Sequence, residues 1–217
     1  STDTATIQTD VVTVTGIQRA QSTDVQSGVL HLRGVLESPT VDIQSGAAIS
    51  ISNAPTLAGS LEIHSGGIFE IADPSETLTV TDSVQLDPDS SLQLASDFQI
   101  DRGTSSGPFS LLTADQSITG SFANSPGELL REDGQFLSSL ATESHTIMVD
   151  ILSAQFGDTD GDSDIDMTDF NTLSSNFDPT GIGGPQGWQQ GDFDGNQLID
   201  VTDFNLLSLH FSPHGYA

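Results

Sequence analysis

Between residues 24 and 94, apolar and polar positions alternate in short runs separated by small or turn-forming residues. Asp24-Val-Gln-Ser-Gly28-Val-Leu-His-Leu32 is followed by Asp42-Ile-Gln-Ser-Gly46-Ala-Ala-Ile-Ser-Ile51 and Glu62-Ile-His-Ser-Gly66-Gly-Ile-Phe-Glu-Ile71. A weaker copy is Ser83-Val-Gln-Leu-Asp-Pro-Asp-Ser-Ser-Leu-Gln-Leu94. Val25, Ile43, Ile63 and Val84 mark the repeat, spaced by 18, 20 and 21 residues. Each unit predicts a strand, a tight turn and a second strand, with β-branched residues in the inward rows and glycine at the corners. No single unit can bury its apolar face, so the period predicts stacked coils: a mainly β chain built on a short right-handed β-solenoid. An antiparallel β-sandwich is the alternative that regularly spaced strands allow.

The repeat fades from Phe98. Phe109-Ser-Leu-Leu112, Ser117-Ile-Thr-Gly-Ser-Phe122 and His145-Thr-Ile-Met-Val-Asp-Ile151 read as strands, and the segment is a candidate solenoid cap. Residues 125–134 read as an exposed excursion. At the other end, Thr4 to Val14 reads as one strand: the first coil, a cap, or a strand donated to a neighbouring molecule. The pattern divides the chain into a β body over residues 1–152 and a small α module over 153–217.

That module holds two Asp-rich loops in register. One runs Asp158-Thr-Asp160-Gly-Asp162-Ser-Asp164-Ile165-Asp166-Met-Thr-Asp169. The other, 34 residues on, runs Asp192-Phe-Asp194-Gly-Asn196-Gln-Leu198-Ile199-Asp200-Val-Thr-Asp203. Both put side-chain oxygens at positions 1, 3, 5, 9 and 12, leaving position 7 (Asp164, Leu198) to offer its backbone carbonyl. A hard cation taking six to eight oxygens is served by this spacing, so two Ca2+ ions are expected. After each loop, Asp169-Phe170-Asn171-x-Leu173-x-x-x-Phe177 and Asp203-Phe204-Asn205-x-Leu207-x-x-x-Phe211 place apolar residues on one helix face. Asp178-Pro179 and Ser212-Pro213 stop the helices. No helix pattern precedes either loop. The expected core of the module is Ile165, Phe170, Leu173, Phe177, Ile199, Phe204, Leu207 and Phe211, covered by Trp188.

Residues 157–211 resemble a type I dockerin, a tandem of loop-helix calcium motifs. The resemblance implies calcium ligands at Asp158, Asp160, Asp162, Asp166 and Asp169, and at Asp192, Asp194, Asn196, Asp200 and Asp203. It also implies non-catalytic docking onto a cohesin-like domain. Two departures stand out. Ser163 and Gln197 occupy position 6, where such loops carry glycine, so strain or another turn is expected there. Met167-Thr168 and Val201-Thr202 stand at positions 10 and 11, where cohesin-binding members often carry Ser-Thr. Leu57-Ala-Gly-Ser-Leu61-Glu-Ile63-His-Ser-Gly66-Gly is similar to the coils of passenger-type β-helices of secreted bacterial proteins.

The 31 acidic residues against four Arg and no Lys give a formal charge of −27. Such a field repels nucleic acid and anionic lipid, which excludes both as partners. No apolar run approaches a membrane span. There is no cysteine, so calcium takes the place of disulfides as the staple. Ser1-Thr-Asp-Thr-Ala reads as a mature N-terminus, and an extracellular or cell-surface location is expected. The five His residues at 31, 64, 145, 210 and 214 have no nucleophile elbow, HExxH or phosphate loop beside them. One Trp and one Tyr leave little for stacking sugars. The expectation is a non-enzymatic, calcium-stabilised structural subunit that assembles with copies of itself, with cohesin docking as the alternative and a polysaccharide-acting β-helix enzyme as a distant one.

Overall fold

The computed structural model describes residues 4–8 and 11–214. The chain forms two compact units. Ser1–Gln99, Pro108–Asn124 and Leu140–Val149 make the first; Ile100–Gly107, Ser125–Ser139 and Asp150–Ala217 make the second. The last segment of the second unit starts at Asp150, close to the expected boundary at 152/153, and two earlier segments belong to that unit as well.

The first unit is a β-solenoid of about four turns. Thr4–Ile7 (β1), Val11–Val14 (β2) and Ile17–Arg19 (β3) form its first coil. Ser22–Val25 (β4), Gly28–Leu32 (β5) and the start of Val35–Ile43 (β6) form the next. The rest of β6, Ala47–Ile51 (β7) and the start of Thr56–Ile63 (β8) form the third. The rest of β8, Ile68–Ile71 (β9) and Leu78–Val80 (β10) form the fourth, with Val84–Leu86 (β11) and Ser91–Leu94 (β12) laid on it. Every pairing among these strands is parallel. A sandwich of antiparallel neighbours is therefore ruled out.

Register stacks like on like. Ile7, Val25, Ile43, Ile63 and Leu86 form one buried column. Leu30, Ile49, Phe69 and Leu92 form a second, and Leu36, Leu57, Val80 and Ala114 a third. Each fully buried aliphatic side chain is worth about 1.5–3 kcal/mol, and every coil supplies several. The pairing corrects the repeat in one place: Val84 lies on Leu61, and Leu86 on Ile63. β6 and β8 each bend in mid-strand, where the register shifts between Glu37 and Thr40. Gly59 makes the bend possible. Its φ is +151°, and a Cβ there would collide with the Ser38 carbonyl.

Within the stretch expected as one strand, Thr4–Ile7 and Val11–Val14 are two strands, each paired in parallel with the next coil of its own chain, as the first-coil reading has it; Thr9 and Asp10 lie outside the described residues. Phe109–Ala114 (β14) continues the parallel stack on β10, and Ile118–Thr119 (β15) sits on β11. The first half of Thr146–Ser153 (β18) then pairs antiparallel with β14, ending the parallel stack.

In the second unit, Thr104–Ser105 (β13) pairs antiparallel with the last residues of β18. Leu129–Arg131 (β16) pairs with the start of Gln135–Thr142 (β17). Residues 125–134, expected as an exposed excursion, thus include a strand, and the Gly134 backbone lies against the Trp188 ring with no room for a side chain. Two α-helices follow, Met167–Ser175 (α1) and Val201–Ser208 (α2), with a 3-10 turn at Trp188–Gln190. Their core joins Ile165, Leu173, Trp188, Phe193, Ile199 and Leu207 to Phe136, Leu152 and Ala154. Phe177 and Phe204 were expected inside and are 46% and 41% exposed. α1 ends at Ser175, so Phe177 leaves the helix before its face turns inward. No helix among the described residues is long and apolar enough to cross a membrane.

Candidate metal centre

Each Asp-rich loop is held in shape by its own carboxylates accepting backbone N–H groups. In the first, Asp158 takes Gly161 N–H (2.6 Å) and Ser163 N–H (3.2 Å). In the second, Asp192 takes Gly195 N–H (2.9 Å) and Gln197 N–H (2.8 Å). Asp169 accepts from Thr159 N–H and Oγ1–H (both 2.7 Å) and from Asp166 N–H (2.9 Å). Asp203 matches it with Phe193 N–H (2.8 Å) and Asp200 N–H (2.9 Å). Both position-12 carboxyl groups are buried. Asp166 and Asp200 cap the helices that follow, each accepting an N–H at 2.6 Å from Thr168 or Thr202. A carboxylate at a helix start also meets the positive end of the helix dipole.

Positions 4 and 6 take the left-handed backbone in both loops: Gly161 and Ser163 at φ +75°, Gly195 at +74° and Gln197 at +66°. Of the two outcomes expected for a loop without glycine at position 6, the strained one occurs. The turn is kept, at a cost of about 1–2 kcal/mol for a side-chain-bearing residue.

This scaffold brings Asp158, Asp160 and Asp169 together, with ligand oxygens within 4.8 Å of one another; Asp192, Asp194 and Asp203 match them in the second loop. A further group in the first loop is Asp164, Asp166 and Asp169. Asp164 was expected to offer its backbone carbonyl. Its carboxylate also lies in that group, with one oxygen shut off from solvent and lacking a hydrogen-bond partner. Of the loop carboxylates, Asp162 and Asp200 are not in these groups. Asp162 accepts Asp164 N–H (3.0 Å), and Asn196 accepts Leu198 N–H (2.7 Å) while its amide donates to Asp194 (3.1 Å).

Burial, with Asp169 and Asp160 adding like charge, pushes Asp158 up to about 7 despite its two N–H donors. Burial likewise raises Asp160, Asp164, Asp192 and Asp203, each with further acids adding to it. An all-oxygen donor set, an unpartnered buried oxygen and strained acidity fit a hard divalent cation.

The two halves are interlocked. Asp178, after α1, donates its N–H to the Ile199 carbonyl of the second loop (3.0 Å), and Ser212, after α2, donates to Ile165 of the first (2.8 Å). Gly157, entering the first loop, packs on Leu207 of α2, while Gly191, entering the second, packs on Leu173 of α1. Trp188, between the halves, donates its indole N–H to the Asp158 carbonyl at 2.6 Å and meets Phe193 edge to face. Arg102 lies over the Phe156 and Trp188 rings at 4.2 and 4.9 Å and donates to the Ala154 carbonyl (2.9 Å). The sequence reading missed Arg102, Phe136 and Phe193. Only Phe193, at position 2 of a loop, carried a local signal. Comparison with protein-family models, with curated proteins and with solved structures returns no match for this chain.

Proposed function

We propose that this chain is a non-catalytic extracellular structural subunit whose second unit folds around two Ca2+ ions and whose role is protein–protein assembly, end to end with copies of itself. One observation carries this reading: two 12-residue loops, 34 residues apart, repeat the same hydrogen bonds and converge three carboxylates each. Removing the cation leaves those carboxylates facing one another, so metal binding energy becomes folding energy. Calcium at extracellular concentration fills sites of this kind. The parallel stack supports the assembly half of the proposal, since a coil paired on one side only offers main-chain groups to another strand.

The test is far-UV circular dichroism and native mass of the full chain, in millimolar calcium and in excess chelator. Chelation should lose helix signal and move the protein to lower mass. Unchanged helix signal in chelator overturns the calcium reading; a monomer at high concentration in calcium overturns self-assembly.

A second reading has its own support. Met167, Phe170, Phe204, Leu207 and Phe211 line an apolar pocket on the helices, and Met167 and Phe204 are exposed. Apolar patches of this kind mark partner surfaces, which favours docking onto a cohesin-like scaffold. A chain that stays monomeric in calcium yet loses partner capture in Phe204→Asp would replace the first reading with this one.

A further inference from the structure

The solenoid carries a column of acids on its outer face. Asp24, Asp42 and Glu62 are direct cross-strand partners on β4, β6 and β8. Parallel strands lie about 4.8 Å apart, and like charges directly opposite repel. Asp24 is satisfied by amide donors, Gln26 at 2.7 Å and Gln44 at 3.0 Å. At the two positions that stack on Gln26 and Gln44 in the following coils, the chain has His64 and then Asp87. Asp42 and Glu62 therefore face an imidazole where Asp24 faces amides.

We propose that Asp42, Glu62 and His64 form a three-ligand site for a first-row divalent transition ion of the zinc class. Their ligand atoms all lie within 4.8 Å of one another. His64 Nε2 is 3.6 Å from Asp42 Oδ1 and 3.9 Å from Glu62 Oε2. Those gaps exceed a hydrogen bond of about 2.7–3.2 Å. They approach the edge of roughly 3.3 Å between tetrahedral ligands set about 2.0 Å from a zinc ion. On the opposite side of the ring, Asp87 Oδ2 stands 3.4 Å from Nδ1. That gap too is longer than a hydrogen bond, so Asp87 acts as a nearby negative charge that favours the Nδ1 proton once a cation sits at Nε2, as carboxylates behind metal-binding histidines do. Asp87 is itself fixed by Ser65 N–H (3.2 Å). Imidazole with carboxylate selects a transition ion, whereas the all-oxygen loops select a harder one, so the two kinds of site take different metals. All four side chains are partly open to solvent, which leaves a coordination position for water or a ligand.

The experiment is a zinc titration of the full chain by calorimetry in saturating calcium, with imidazole 15N NMR alongside. Wild-type protein should bind one zinc at a site that His64→Gln and Asp42→Asn each weaken by about 10- to 100-fold. Asp87→Asn should weaken it too and shift the His64 tautomer, while His145→Gln should change nothing. The Nε2 resonance of wild-type His64 should move on zinc addition, a readout that needs no variant to fold. Equal zinc binding by wild type and His64→Gln overturns the site. So does an imidazole whose two nitrogens are both protonated at neutral pH and do not respond to zinc, the signature of a plain ion-pair network.

Discussion

Ser212 N–H donates to the Ile165 carbonyl across 2.8 Å, so the end of the second half closes on the loop of the first. Asp178 and Ile199 make the reciprocal bond. Ordering one loop therefore sets the partner carbonyl and helix face that the other loop needs. Calcium binding should be positively cooperative. Asp203→Ala should lower affinity at the first loop, and Asp169→Ala at the second, each by roughly 5- to 150-fold. Calorimetry of the two variants checks this; a remaining site of wild-type affinity would show independent loops.

Trp188 is buried and spends its indole N–H on Asp158, the first position of a loop. Its fluorescence should report calcium directly, shifting red when chelator opens the loop. Trp188→Phe should cost about 1–3 kcal/mol, since the Asp158 carbonyl loses its buried donor. The loss should fall on the first loop before the second, which residual titration of the variant would reveal.

Ser163→Gly and Gln197→Gly should each stabilise the second unit by about 1 kcal/mol, because glycine adopts positive φ without the Cβ penalty. Ser163→Ala keeps the penalty and should gain nothing. Thermal midpoints in calcium decide between strain and a hydroxyl-specific role for Ser163.

Acidity gives a prediction with a definite sign. Asp158 is raised from an ordinary 3.8 to about 7, so the folded, metal-free loop binds its proton more tightly than the unfolded chain. Metal-free stability should accordingly fall as pH rises from about 4 to about 7, then level off. Calcium needs the ionised form, so its apparent affinity should rise across the same window. Binding should release protons at pH 6 and almost none at pH 8, measured by calorimetry in buffers of differing ionisation enthalpy.

Gly59→Ala should cost at least about 3 kcal/mol, since a methyl group would meet the Ser38 carbonyl inside a bend no alanine adopts. Loss of β signal on mild heating checks it. Gly46→Ala meets open space at a positive φ and should cost less.

The loops were legible because twelve positions at fixed spacing, repeated 34 residues on, leave little freedom in what they build. The coil stack was legible as a period and not as a register. Sliding Val84 from Ile63 to Leu61 moves a strand by two residues, and a two-residue slip keeps every inward residue inward. Hydrophobic pattern is blind to that error. The partners of Trp188 were hidden for another reason. Gly134, Phe136 and Arg102 lie 86 to 52 residues away from it in sequence; Gly134 closes a stretch that reads as an exposed excursion, and Arg102 and Phe136 sit where the repeat has faded and no strand pattern stands out.

The columns of stacked aliphatic residues make the height of the first unit countable. Each coil repeats the same inward rows and adds one strand spacing, about 4.8 Å, without altering the coil beneath. Duplicating residues 44–63, one register repeat from β6 to β8, should yield a protein longer by that increment, with its C-terminal loops intact. Such a body acts as a ruler whose length selection can change one notch at a time.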